Sequence, residues 1–127
     1  MTAAGCSSDL PPAAEAGSPT ATLRDGRVRL TLLPRERVLV AGDERIPVGI
    51  GPTDVAADGK NLAYVTDAVG DAVLVVHLRP RLEITRRVHV PGSPYTIEID
   101  RARRRLLVTT RTRGVVELTA DARPRAL

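Results

Sequence analysis

The residues able to do chemistry in this chain are few. Cys6 is its one thiol, a nucleophile preceded by the small residues Ala3-Ala4-Gly5, and with no second cysteine it has no disulfide partner within the chain. Thr53 and Asp54 follow Gly49-Ile50-Gly51-Pro52, and Tyr95 follows Pro91-Gly92-Ser93-Pro94. A hydroxyl, a carboxylate and a phenol at such matched places could hold a small polar ligand. Asp54 and Asp58, with no histidine or cysteine beside them, are too few donors for a metal site. Arg101, Arg103, Arg104, Arg105, Arg111 and Arg113 form the densest run of charge, and guanidinium groups suit bidentate contact with anions. His77 and His89 are the only imidazoles. They sit in no Ser-His-Asp or Cys-His spacing, and neither a phosphate-binding loop nor a paired-carboxylate motif accompanies them. These residues assign no catalytic group, no metal and no cofactor, and leave open whether the chain is an enzyme.

Each set also has a plainer explanation. Thr53, Asp54 and Tyr95 are consistent with ordinary turn polarity, and the arginines with a solvated loop in an arginine-biased sequence. Lys60 is the only lysine, and the formal net charge is +4. Abundant Arg, Ala, Gly and Pro fit a GC-rich bacterial gene as well as they fit a ligand. The charge favours acidic partners through long-range attraction. Nucleic acid is a poor candidate, because Tyr64 and Tyr95 are the only aromatic residues and no reading element accompanies the arginines. No apolar run approaches the roughly 20 residues that span a bilayer, so any membrane contact needs an anchor.

Such an anchor is what Ala3-Ala4-Gly5-Cys6-Ser7-Ser8 resembles: the lipobox of bacterial lipoproteins, whose cysteine becomes lipid-modified. The resemblance implies that Cys6 is lipidated and that the protein is extracytoplasmic and membrane-anchored. Ala3 stands where the family prefers Leu, and no charged segment with an apolar stretch precedes it, which is reconciled if Met1 is a misplaced start within a longer leader. Without a leader the location is cytoplasmic and the thiol incidental. Residues 7–22, SSDLPPAAEAGSPTAT, offer almost nothing to bury and read as a disordered tether. A coil of that length has an end-to-end distance of roughly 20 to 25 Å.

The elements that must position the remaining residues emerge from an internal repeat. Residues 49–58 align with 91–100, Pro52 and Pro94 lying 42 positions apart. After a one-residue insertion, Leu62-Ala63-Tyr64-Val65-Thr66 meets Arg105-Leu106-Leu107-Val108-Thr109, and Val73 to Val76 then meets Val115 to Leu118. Alternation at period 2 marks the strands. Leu82, Ile84, Val88 and Val90 are expected on one face, interrupted by Arg86. Asp58-Gly59-Lys60-Asn61 reads as a hairpin turn, as does the stretch from Asp67 to Asp71. A period of 40 to 45 residues made of four short strands is a propeller signature.

The chain accordingly resembles the YVTN-repeat, or YncE-like, β-propeller family. Tyr64-Val65-Thr66-Asp67 matches Tyr-Val-Thr-Asn with Asp for Asn, and Gly49-Ile50-Gly51-Pro52 matches the Gly-x-x-Pro before a blade's first strand. The second copy departs, reading Leu107-Val108-Thr109-Thr110. The expected fold is all-β, with four-stranded antiparallel blades, about two and a half of them, in an incomplete ring. Residues 1–6 are assigned to the lipobox remnant, 7–22 to the tether, 23–118 to the partial propeller and 119–127 to a polar tail. Within the propeller, 27–48 is a partial blade with strands near Val28 to Leu32, Arg37 to Val40 and Arg45 to Val48. Residues 52–90 form a blade, and 94–118 one lacking its outer strand. Such a chain is a gene fragment, an early stop, or a subunit that closes its ring by association, and the missing outer strand favours a fragment.

The resemblance places Thr53, Asp54 and Tyr95 at the mouth of the central channel and both histidines away from it. The expected function is a lipid-anchored, extracytoplasmic binding or interaction platform without catalysis of its own. Its partners would be another protein, the missing blades, or an anionic envelope surface touched by the arginines. The alternatives are a piece of a propeller enzyme, lactonase-like or redox-cofactor dependent, and a cytoplasmic basic nucleic-acid binder.

Overall fold

The computed structural model describes residues 20–22 and 28–119. Cys6, the tether up to residue 19 and the tail from residue 120 lie outside the described residues. Alternating aliphatic and polar residues, punctuated by turns, produce eleven strands and no helix among the described residues. The first sheet contains β1 (Thr20–Thr22), β2 (Arg29–Leu33), β3 (Val38–Ala41) and β4 (Glu44–Pro47). The second contains β5 (Pro52–Ala57), β6 (Leu62–Asp67), β7 (Ala72–His77) and β8 (Glu83–His89), and the third β9 (Pro94–Asp100), β10 (Arg105–Thr110) and β11 (Val115–Thr119). Each sheet is an antiparallel meander in chain order. The first strands lie side by side, β1 against β5 and β5 against β9. These are blades of a β-propeller whose ring is not closed.

The first blade has one strand more than expected. Thr20–Thr22, the end of the stretch read as tether, pairs with β2 in the register Thr20↔Thr31 to Thr22↔Arg29. A three-residue strand of Thr and Ala carries too little apolar alternation to announce itself. Its order comes from the β2 edge, whose backbone groups need partners. At the other end, Thr119 belongs to β11 and not to the tail.

With no Phe or Trp in the chain, the core is aliphatic apart from tyrosine. Between the first two blades, Leu30, Leu32, Leu39 and Val48 pack against Val55, Val65, Leu74 and Val76. Between the second and third, Tyr64, Val73, Val75, Val88 and Val90 meet Ile97, Leu106, Val108 and Leu118. The central strands β6 and β7 are therefore buried on both faces, which is why their sequences read as near-continuous apolar runs.

The expectation that Leu82, Ile84, Val88 and Val90 share a face is corrected by a bulge. Val75 pairs with Arg86 and Val76 with Ile84, leaving Thr85 without an opposite residue on β7. One extra residue reverses the alternation. Leu82 and Ile84 consequently face the first blade, while Val88 and Val90 face the third. Arg86, which interrupted the pattern, marks the switch.

Deleting Thr85 should leave a regular β7–β8 ladder, with Ile84 still on Val76 and Arg86 on Val75. Val88 and Val90 then keep their face, and the unfolding free energy should stay within about 1 kcal/mol of wild type. Inserting one alanine between Arg87 and Val88 should instead turn both valines to the wrong face and cost about 3 kcal/mol or more. Thr85→Ala should stay within about 0.5 kcal/mol of wild type. Urea denaturation of the three variants checks this, and an insertion variant as stable as wild type would remove the facing given to Val88 and Val90.

Candidate functional site

Thr53 and Asp54 stand at a second bulge. Pro52 pairs with Asp67 and Asp54 with Thr66, so Thr53 is the extra residue on β5. Both neighbouring side chains thereby reach β9. Thr53 Oγ1 donates to the Tyr95 carbonyl at 2.6 Å and lies 2.8 Å from Thr66 Oγ1, which is itself 3.2 Å from the same carbonyl. Asp54 Oδ2 accepts from Ile97 N–H at 2.9 Å, and Oδ1 from its own strand's Val55 N–H at 2.9 Å. Exposure is 2% for Thr53, 4% for Asp54 and 1% for Tyr95. The structure thus brings the three expected channel residues together, and it commits the polar atoms of Thr53 and Asp54 to joining the second blade to the third.

Two residues of this region had no role assigned from sequence. Thr66 completes the hydroxyl pair with Thr53. Asp67, the last residue of Tyr64-Val65-Thr66-Asp67, accepts three backbone donors: Ile50 N–H at 3.0 Å, Gly51 N–H at 2.8 Å and Gly70 N–H at 3.0 Å. Its carboxylate fastens the Gly-x-x-Pro loop to the β6–β7 turn. Gly49, at φ 91°, packs so closely on that carboxylate that a side chain there would collide with it. The signal was present in the sequence as a pairing of two motifs, because the loop and the acid occur in the same blade and meet at its rim.

Antiparallel pairing collects at one end of the blades the beginnings of β5 and β9 and the β2–β3, β6–β7 and β10–β11 turns. There a depression of about 300 Å³ is lined by Pro34 and Arg35 from the first blade, Gly51 to Thr53 with Ala68 and Val69 from the second, and Tyr95 and Arg111 from the third. The Arg111 guanidinium carbon lies 5.0 Å from the centroid of the Tyr95 ring, a cation–π contact that limits where this long side chain can go.

The six arginines do not gather into one patch. Arg101, Arg103, Arg104 and Arg105 lie at the β9–β10 end, whereas Arg111 and Arg113 lie on the β10–β11 turn. The length of β10 separates them by about 20 Å at ~3.3 Å per residue. Several are engaged. Arg101 donates to the Asp58 and Ala57 carbonyls of the second blade, Arg103 pairs with Asp100 at 3.6 Å, and Arg105 pairs with Glu117 at 3.1 Å. His77 ends β7 and His89 ends β8, on the outer half of the second blade. Among the described residues, no group of three or more His, Cys, Asp or Glu side chains converges as a metal site requires.

No family model and no curated protein matches this chain. Among solved structures it is similar to the hydrazine synthase of Kuenenia stuttgartiensis, with a TM-score of 0.74 at 15% sequence identity. The alignment covers 87% of this chain and 35% of that one, so the chain spans about a third of its neighbour's length. At this identity the likeness shows the fold.

Asp54→Ala should strand the buried N–H groups of Val55 and Ile97 and lower unfolding free energy by about 2 to 4 kcal/mol. Urea denaturation measures the change. A loss below about 0.5 kcal/mol would mean that Asp54 does not hold the two blades together.

Proposed function

We propose that this chain is a lipid-anchored, extracytoplasmic propeller of the YVTN-repeat type that serves as a binding platform, with recognition at its rim. The observation that carries the reading is the convergence of turns from three blades around one depression, while Thr53 and Asp54 beneath it are engaged in joining the blades. A platform needs a rigid scaffold with variable turns at one end, which is the arrangement described. A catalytic reading would call on Thr53 and Asp54, and both are already bonded within the junction.

The anchor rests on Ala3-Ala4-Gly5-Cys6. Lipid on Cys6, followed by a polar and proline-containing stretch, would hold the blades clear of the membrane and present the rim to proteins or acidic envelope components. A nucleic-acid partner is disfavoured by the burial of both aromatic residues, Tyr64 and Tyr95, since single-stranded bases need an exposed ring on which to stack.

The anchor is tested by expressing the gene with its genomic upstream region in a bacterial host fed an alkyne-bearing palmitate. The expected result is label on the N-terminal Cys6 peptide and recovery in the detergent phase, both lost in Cys6→Ser. An unlabelled wild-type protein in the aqueous phase would overturn the anchored reading.

A further inference from the structure

We infer that the rim depression is a subsite for a small organic acid, a carboxylate or phosphate carried on a compact apolar body, with Arg35 and Arg111 as the groups that recognise the charge. The inference deepens the platform reading and rests on it. It concerns the ligand and not the anchor.

The two guanidinium groups reach the depression from opposite sides. Arg35 sits on the β2–β3 turn of the first blade and Arg111 on the β10–β11 turn of the third, with Gly51 to Thr53 of the middle blade between them. Both arginines are exposed, and among the described residues no carboxylate lies within ion-pair distance of either. Asp67 and Asp71, which could have neutralised this rim, are turned into the backbone. Asp67 holds the N–H groups of Ile50, Gly51 and Gly70, and Asp71 that of Ser93 at 3.0 Å. Glu36 is exposed beside Arg35 and pairs with neither guanidinium. Two cations facing one cavity repel each other, and an anion between them removes that repulsion while gaining charge-assisted hydrogen bonds.

The remaining wall selects the body of the ligand. Pro34, Pro52, Ala68 and Val69 are apolar, and Val69 is 67% exposed, so covering it removes hydrocarbon from water. The volume stands at the lower bound for small-molecule sites and fits one ring or a short branched chain. Tyr95 gives the site some preorganisation, because its ring already supports the Arg111 guanidinium and less side-chain freedom is lost on binding. Of the six clustered arginines, Arg111 alone lines this depression. Arg35, outside the cluster, is its counterpart.

The test uses isothermal titration calorimetry on the full chain at low salt with four probes: benzoate, phenyl phosphate, the neutral isostere benzamide and inorganic phosphate. Benzoate or phenyl phosphate should bind, with benzamide and inorganic phosphate each weaker by about tenfold or more, since the charge and the apolar body both contribute. Arg35→Ala and Arg111→Ala should each lower acid affinity by about tenfold, Arg111→Lys should retain part of it, and Arg104→Ala at the far end of the blade should leave it unchanged. Folding of each variant is checked by its urea midpoint. Equal binding of benzoate and benzamide, absence of acid binding, or full affinity in the Arg35→Ala and Arg111→Ala variants would overturn the inference. Acylation of Cys6 is read separately, so loss of the ligand site leaves the anchor result standing.

Discussion

The seating of one blade on the next depends on a carboxylate held between two inner strands. Asp54 accepts from its own strand with one oxygen and from Ile97 of the neighbouring sheet with the other, while Thr53 and Thr66 bracket the Tyr95 carbonyl. Aliphatic faces alone attract without direction, and Val75 could slide along Ile97 with little change in buried area. Hydrogen bonds to a charged acceptor contribute about 1.5 to 3 kcal/mol each, and burying the carboxylate costs several kcal/mol. The two roughly offset. What Asp54 adds is registry, since Ile97 N–H must meet its Oδ2 while the Tyr95 carbonyl meets the threonine pair.

The face that a blade presents differs with its position in the chain. In the second blade, the face toward the third carries Ala56, Leu62, Tyr64, Val73 and Val75. The repeat-equivalent positions of the third blade, on its opposite face, are Glu98, Leu107, Val115, Glu117 and Arg105, and the Asp54 equivalent is Thr96. Glu98 is exposed and Arg105 pairs with Glu117 across the sheet. The same backbone therefore presents a dry face in one repeat and a charged face in the next. Burying that face against another sheet would require a partner for Glu98 and would take the Arg105–Glu117 pair out of water.

The sequence made the repeat legible because a 42-residue spacing survives even where individual residues change, and because Asp-Gly and Gly-x-x-Pro turns have few other uses. The all-β propeller architecture followed from those features. Less visible was anything that depended on one inserted residue. Thr85 and Thr53 are both bulge positions, unremarkable as letters, yet one reverses the face of half a strand and the other aims two side chains at the next blade. β1 was hidden for a different reason: a three-residue strand is specified by the edge it completes, not by its own pattern. The arginines misled through proximity in sequence, because a strand between two of them carries their charges to opposite ends.

The motif residues show most directly how packing decides chemistry. Asp67 and Thr110 occupy equivalent places at the end of a blade's second strand. The aspartate reaches across to the preceding loop, taking the Ile50 and Gly51 N–H groups. Threonine has one oxygen on a shorter arm, and it turns inward, donating to the Gly114 carbonyl at 2.7 Å and accepting from Arg113 N–H at 2.9 Å. The loop before β9 keeps the backbone link that the second blade also makes, Ala68 N–H on the Gly51 carbonyl there and Arg111 N–H on the Ser93 carbonyl here. It adds the Gly92 carbonyl as an acceptor for the N–H groups of Arg111 and Thr112. These bonds fix the backbone of Arg111 at the rim, and the Tyr95 ring limits its side chain. Backbone bonds at the rim thus hold one of the two guanidinium groups beside the depression, while the aspartate of the second blade turns its negative charge into the Ile50, Gly51 and Gly70 N–H groups.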